Sequence, residues 1–288
     1  MQLIEGPDEV RAWSRAARAR GERVGFVPTM GFLHEGHLSL MRISRSRADR
    51  TLVSIFVNPT QFGPNEDLDR YPQDTEGDLA KCREVGVDAV YMPPREAMYP
   101  PGAQTWVTVD GLTGGLCGRN RPTHFRGVTT VVSILFHQVE PDLAVFGEKD
   151  YQQLQVIRRM TRDLQMPIEI VPGPIVRESD GVAMSSRNAN LSAEERAQAV
   201  ELNRALSWAE EQVDLGVIKL LELVPEVCSR IESQPLASVD YVEVVDAETL
   251  QPVIGELTGP ARVALAVKFP SARLIDNWPL VPGGAGEA

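Results

Sequence analysis

Three features of the chain predict an α/β fold. Short β-branched apolar runs close at Gly or Pro, and amphipathic helical segments stand between them. Past residue 176 that alternation gives way to long helical stretches and a pair of strand-like runs. Strands that are apolar along their whole length belong in a parallel sheet covered on both faces. The chain is therefore expected to form a Rossmann-type parallel-sheet domain over residues 1–175 and a smaller α+β domain over 176–288. From about residue 282 the tail Pro-Gly-Gly-Ala-Gly-Glu-Ala has nothing to bury and is read as mobile.

Each element follows from its own pattern. Trp13, Ala16, Ala17 and Ala19 among arginines suit a short helix that stops at Gly21. Residues 24–27 form an apolar strand closed by Pro28. Leu38, Leu40, Met41 and Ile43 mark the following helix, with 29–36 as the turn between. Further strands cover 51–57, ending at Asn58-Pro59, 88–92, ending at Pro93-Pro94, and 143–146, ending at Gly147. The last leads into a helix with Leu154, Ile157, Met160 and Leu164 on its apolar face. In the second domain Ser192-Ala193-Glu194-Glu195 opens a long helix with a capping-box signature. A second helix is expected over 217–231, and strands over 239–245 and 263–269 read as antiparallel.

Composition narrows the function classes. With 29 basic against 40 acidic residues the net charge is −11, which repels nucleic-acid backbones at long range. Cys82, Cys117 and Cys228 lie too far apart for a CxxC zinc site or a disulfide framework, so a reducing, cytoplasmic setting is expected. The N-terminus lacks the continuous apolar stretch of a secretion signal. The longest apolar run, 128–136, is interrupted by Thr129, Thr130 and Ser133 and is too short to span a bilayer, so no membrane partner is expected.

The chemistry-bearing residues gather where predicted strands end. Of four histidines, His34 and His37 lie three apart in His34-Glu35-Gly36-His37, after a strand and as a helix begins. Residues at that spacing share a face, and the helix start supplies N–H donors and positive potential for a phosphate. Alone, the pair would serve equally as polar loop histidines, or as two zinc ligands lacking a third; the strand-turn-helix setting favours phosphate. Gly147-Glu148-Lys149-Asp150-Tyr151-Gln152-Gln153 again follows a strand, where open α/β sheets bind ligands. Lys149 suits phosphate, Asp150 a cap, a ribose or a metal, and Gln153 points one turn further. Met184-Ser185-Ser186-Arg187-Asn188 sets two hydroxyls beside a guanidinium. Arg121, His124 and Arg126 form a basic loop, and Asn58-Pro59-Thr60-Gln61-Phe62-Gly63 offers neutral amides for a carboxylate or hydroxyls.

Taken in order, Pro28 to His37, Asn58 to Gly63, Phe146 to Gln153 and Met184 to Asn188 resemble the pantothenate synthetase family, the pantoate–beta-alanine ligases, across the chain apart from its tail. The resemblance implies ATP-dependent condensation of pantoate with β-alanine through a pantoyl-adenylate, giving pantothenate, AMP and diphosphate. It assigns ATP to Met30, Gly31, Phe32, Leu33, His34, Glu35, Gly36 and His37, to Gly147, Glu148, Lys149 and Asp150, to Val176, and to Met184, Ser185, Ser186 and Arg187. His37 would donate a proton, with His34 and Lys149 beside it, and Gln61 and Gln153 would hold pantoate. It also implies a cytoplasmic, Mg2+-dependent homodimer with a C-terminal lid domain, and assigns no protein ligand to the metal. Two positions depart from the family pattern: Phe32 where a small residue is usual, and Thr123 where glycine is usual. The rival expectations are a nucleotidyltransferase of the wider HxGH superfamily, which would keep the nucleotidyl group in its product, and a nucleotide sensor without turnover.

Overall fold

The structure, a computed structural model, describes residues 1–64, 66, 68–216 and 219–281; the tail from 282 and the expected helix start at 217 lie outside the described residues. Six strands form one parallel sheet: β1 (Gln2–Ile4), β2 (Val24–Thr29), β3 (Arg50–Ile55), β4 (Ala89–Tyr91), β5 (Leu143–Gly147) and β6 (Glu169–Gly173), in the order β1-β4-β3-β2-β5-β6. From β2 the chain builds outward through β3 and β4 on one side. It then returns to add β5 and β6 on the other, which puts the topological switch at the C-terminal ends of β2 and β5. Val27, Val53, Val90, Leu143 and Val145 from the strands meet Leu38 and Met41 of the helix Glu35–Arg47 in one core.

Three elements differ from expectation for local reasons. β2 runs on through Pro28 to Thr29. The Thr29 carbonyl accepts from the Phe56 N–H on the β3 side, so Pro28 faces β5, where pairing is confined to Gly25 and Phe26, and its missing donor interrupts nothing. β6 carries Pro172, which an edge strand tolerates. The helix Tyr151–Asp163 buries Leu154, Ile157 and Met160 but ends before Leu164, which is 52% exposed. The apolar run 128–136 lies in the helix His124–Val139, buried on nearly every side, and no helix among the described residues is long and apolar enough to cross a membrane.

The chain divides into two compact units, and the division is not a single cut after residue 175. The first comprises Met1–Thr113, Arg121–Glu148 and Gln153–Pro174; the second comprises Gly114–Asn120, Lys149–Gln152 and Ile175–Ala288. Lys149 and Asp150 thus belong with the second unit, and side-chain bonds give the reason. Asn277 Nδ2 donates to the Lys149 carbonyl at 3.0 Å, the Tyr151 hydroxyl to the Ala247 carbonyl at 2.8 Å, and Gln152 accepts from the Cys117 N–H and donates to the Gly115 carbonyl.

In the second unit β7 (Ser238–Asp246), β8 (Ala261–Lys268) and β9 (Arg273–Leu280) form an antiparallel sheet covered by the helices Ala193–Asp214 and Leu220–Glu232. The third strand escapes sequence reading because Asp276, Asn277 and Pro279 interrupt its apolar pattern. The long helix starts at Ser192, whose Oγ accepts from the Glu195 N–H while the Glu195 carboxylate accepts from the Ser192 N–H. That carboxylate, 2% exposed, also accepts from the Ser271 N–H and hydroxyl, each at 2.8 Å. Backbone donation from Ser192, with that from Ser271, outweighs burial and holds its pKa down to about 2. A depressed carboxylate stabilises the fold fully above its unfolded value near 4.5, and that contribution is lost as pH falls through about 2. Glu195→Gln is expected to flatten the decline of stability with pH between those two values, as followed by urea denaturation at a series of pH values.

Candidate active site

The chain leaves β2 through a turn that needs left-handed backbone. Gly31 has φ +85°, and a Cβ there would meet Asp78 Oδ2 at 3.0 Å; Phe32 follows at φ +50°. The Thr29 hydroxyl ties this turn to the Ser54 carbonyl at 2.7 Å. Asp78, 1% exposed on the helix Thr75–Val85, accepts from the Phe32 N–H (2.8 Å) and the Leu33 N–H (2.7 Å), and Lys81 donates to the Leu33 carbonyl at 2.8 Å. The amides of Phe32 and Leu33 are therefore committed within the protein.

His34 sits at the N-cap of the helix Glu35–Arg47, and its ring packs against that of His37 with centroids 4.1 Å apart. The His34 N–H donates to Nδ1 of His37 at 3.3 Å. A neutral imidazole accepting at Nδ1 carries its proton on Nε2, so the donor nitrogen of His37 is Nε2. Glu35 pairs with Arg42 two turns along the same helix, and that bond holds its carboxyl below the usual range.

Gln61 ends a single 3-10 turn, Pro59–Gln61, built around the buried Asn58. Asn58 Nδ2 donates to Gln61 Oε1 (3.1 Å) and to the Gly127 carbonyl (3.2 Å), while its Oδ1 accepts from the Thr60 and Tyr99 hydroxyls at 2.9 and 2.8 Å. With its oxygen committed, Gln61 presents its NH2 group, which lies 3.2 Å from Met30 Sδ. The basic loop is more committed than its sequence suggests. Arg121 binds Glu66 through two bonds of 2.6 and 2.5 Å, and His124 Nδ1 donates to the Gln61 carbonyl at 2.9 Å. Burial raises Glu66, but the bond and charge of Arg121 together leave it below its ordinary value. Arg126 lies over the Trp106 ring at 4.7 Å. Gln153 is half-buried in the first turn of its helix.

Within the second unit Lys149 Nζ lies 3.4 Å from Asp150. The Met184 N–H donates to the Val176 carbonyl, so those two positions meet across a short bridge beside Arg177 and Ala183. Ser185 then caps a 3-10 turn, Ser186–Asn190, its Oγ accepting from the Arg187 N–H. Below them Arg177 forms a two-bond ion pair with Asp276, whose carboxyl burial pushes up against that pull. Among the described residues no group of three His, Cys, Asp or Glu is gathered to hold a metal ion.

A sequence profile of the family described as pantoate-beta-alanine ligase matches residues 2–279. The chain belongs to the pantoate-beta-alanine ligase family. The pantothenate synthetase of Acetivibrio thermocellus is 53% identical over 277 residues, covering 96% of this chain and 98% of that one. A crystal structure of pantothenate synthetase from Thermus thermophilus superposes with a TM-score of 0.92 at 46% identity, covering 98% of this chain and all of that one. A Francisella tularensis pantoate-beta-alanine ligase, described as complexed with beta-gamma ATP and beta-alanine, superposes with a TM-score of 0.79 at 31% identity over 96% of this chain and 97% of that one.

The two departures from the family pattern differ in kind. Thr123 has φ −100° and ψ −10°, backbone open to any residue, so it does not strain the basic loop. Phe32 does occupy a glycine-favouring conformation. Sequence reading missed Asp78, Tyr99 and Glu66, because each acts on a partner far along the chain. It had no signal for Gly127 either, where a Cβ would stand 2.5 Å from the Thr60 carbonyl oxygen and 2.7 Å from Gln61 Cα. Gly127→Ala is expected to cost about 1–3 kcal/mol of stability by forcing the Pro59–Gln61 turn away from its helix, which urea unfolding of the variant measures.

Proposed function

We propose that this chain condenses pantoate with β-alanine at the expense of ATP, releasing pantothenate, AMP and diphosphate through a pantoyl-adenylate. The observation that carries it is the half-buried His34–His37 pair at a helix start, directly after the central strand and at the sheet's switch point. The membership of the family supports the same reaction. In the first step the pantoate carboxylate attacks the α-phosphorus of ATP; a P–O bond forms and diphosphate leaves. In the second the neutral amine of β-alanine attacks the acyl carbon, an amide bond forms as the acyl C–O bond to the phosphate breaks, AMP leaves with the oxygen that came from the pantoate carboxylate, and the proton lost from nitrogen passes to solvent.

The protein's part is to hold, orient and neutralise. His37 Nε2–H is assigned to the phosphates, and a preorganised donor of this kind contributes about 3 kcal/mol to lowering the barrier. Lys149, Ser185, Ser186 and Arg187 are assigned the same ligand on the strength of their motifs. Gln61, with its NH2 group presented, and Gln153 are assigned to pantoate, whose carboxylate and hydroxyls suit neutral donors. Orienting two reactants at one site contributes on the order of 7 kcal/mol. Magnesium is taken to arrive as MgATP, on phosphate oxygens, as suits a small hard cation that keeps its waters. The free thiols Cys82, Cys117 and Cys228 favour a cytoplasmic setting, and a homodimer is part of the same proposal.

Product analysis with ATP, pantoate and β-alanine tests the function: AMP and pantothenate are expected, whereas a product retaining the nucleotidyl group would assign the chain another reaction. His37→Ala is expected to lower kcat by roughly a hundredfold or more in a folded variant; near-normal turnover would remove His37 from the chemistry. With labelled diphosphate, label should return to ATP only when pantoate is present and without any need for β-alanine. Exchange lacking pantoate would instead indicate an adenylylated enzyme.

A further inference from the structure

We infer that Asp78 is a positioning residue for the nucleotide: it holds Phe32 in the left-handed conformation and so sets the His34–His37 pair. The identity of the ligand rests on the function proposed above; the positioning does not. Gly31 and Phe32 are successive left-handed residues, at φ +85° and +50°. Glycine enters that region freely, but a bulky aromatic residue does so only where surrounding structure compels it. The compulsion is visible. The two oxygens of one buried carboxylate each take one N–H, Oδ2 from Phe32 and Oδ1 from Leu33, and Lys81 from the next turn of the same helix takes the Leu33 carbonyl. Three bonds from the helix Thr75–Val85 thus fix the two residues that precede His34.

The next link is equally short. The His34 N–H bonds to Nδ1 of His37, so the orientation of the His34 peptide selects which nitrogen of His37 carries the proton. Loosening the turn at Phe32 and Leu33 frees that peptide and blurs the tautomer. A carboxylate is needed for this task, since an amide of the same shape accepts only one N–H and turns its own NH2 against the other.

The test uses the full chain as wild type, Asp78→Asn, Phe32→Gly and the double variant, with a non-hydrolysable ATP analogue titrated by calorimetry and thermal unfolding as the folding control. Asp78→Asn is expected to weaken the analogue about tenfold, the scale of one lost charged hydrogen bond. In the Phe32→Gly background the same substitution is expected to cost less than about threefold, because glycine holds the turn unaided. Equal losses in both backgrounds, or a lowered unfolding temperature with unchanged affinity, would overturn the proposal by reducing Asp78 to a purely structural role. Should Asp78→Asn not fold, Lys81→Met, which removes one of the three bonds, takes its place with the same comparison across backgrounds. The imidazole 15N spectrum of His37 needs no ligand: the Nε2–H tautomer should lose population in Asp78→Asn and regain it in the double variant. A wild type that ignores the ATP analogue would refute the ligand while leaving this spectroscopic comparison to decide the positioning.

Discussion

A buried carboxylate must be met by hydrogen-bond donors, and at Asp78 those donors are the backbone of the turn after β2. The exchange benefits both sides. The carboxylate is solvated by two amides, and an unfavourable stretch of backbone is held in one conformation. Everything assigned to the histidine pair depends on this, because His34 and His37 take their orientation from where the turn delivers the helix start.

The same arrangement recurs where other loops meet the scaffold. Asn58 commits its side chain to Gln61, Thr60, Tyr99 and the Gly127 carbonyl, so a polar side chain at 1% exposure organises a turn that sets the NH2 of Gln61 against Met30 Sδ. Gly127 permits the helix beneath to come within contact of that turn's backbone. In the second unit Asn277 links Lys149 to Arg262, whose guanidinium lies 4.1 Å from the Tyr151 ring, and Glu195 ties its helix start to Ser271. In each case a buried polar group fixes an irregular segment that no periodic apolar pattern could fix.

Charge is used differently. Arg121 of the basic loop and Arg42 of the helix that His34 caps are each paired with a glutamate, Glu66 and Glu35. Two bonds to one carboxylate make such arginines poor first choices as phosphate donors and turn attention to the imidazoles and backbone N–H groups of a helix start. The overall charge of −11 makes such local provision necessary, since the chain as a whole repels a polyphosphate.

Sequence alone determined whatever is periodic or contiguous: the parallel strands at β2, β3, β4 and β5, the cap at Ser192, the His34–His37 spacing and the family motifs, since neighbours a few residues apart interact through local geometry. It lost β1 and β6, which are short or carry proline at a sheet edge, and β9, whose pattern is broken by buried polar residues. Only the tertiary structure decided that β2 could continue through Pro28, that Lys149 belongs with the second unit, that Leu164 stays outside the core, and that Asp78 takes the amides of Phe32 and Leu33. The physical reason is common to all four. Each outcome depends on a partner tens of residues away or on the edge of an element, where the balance of hydrogen bonding and burial is set by what the fold brings near and not by the order of residues along the chain.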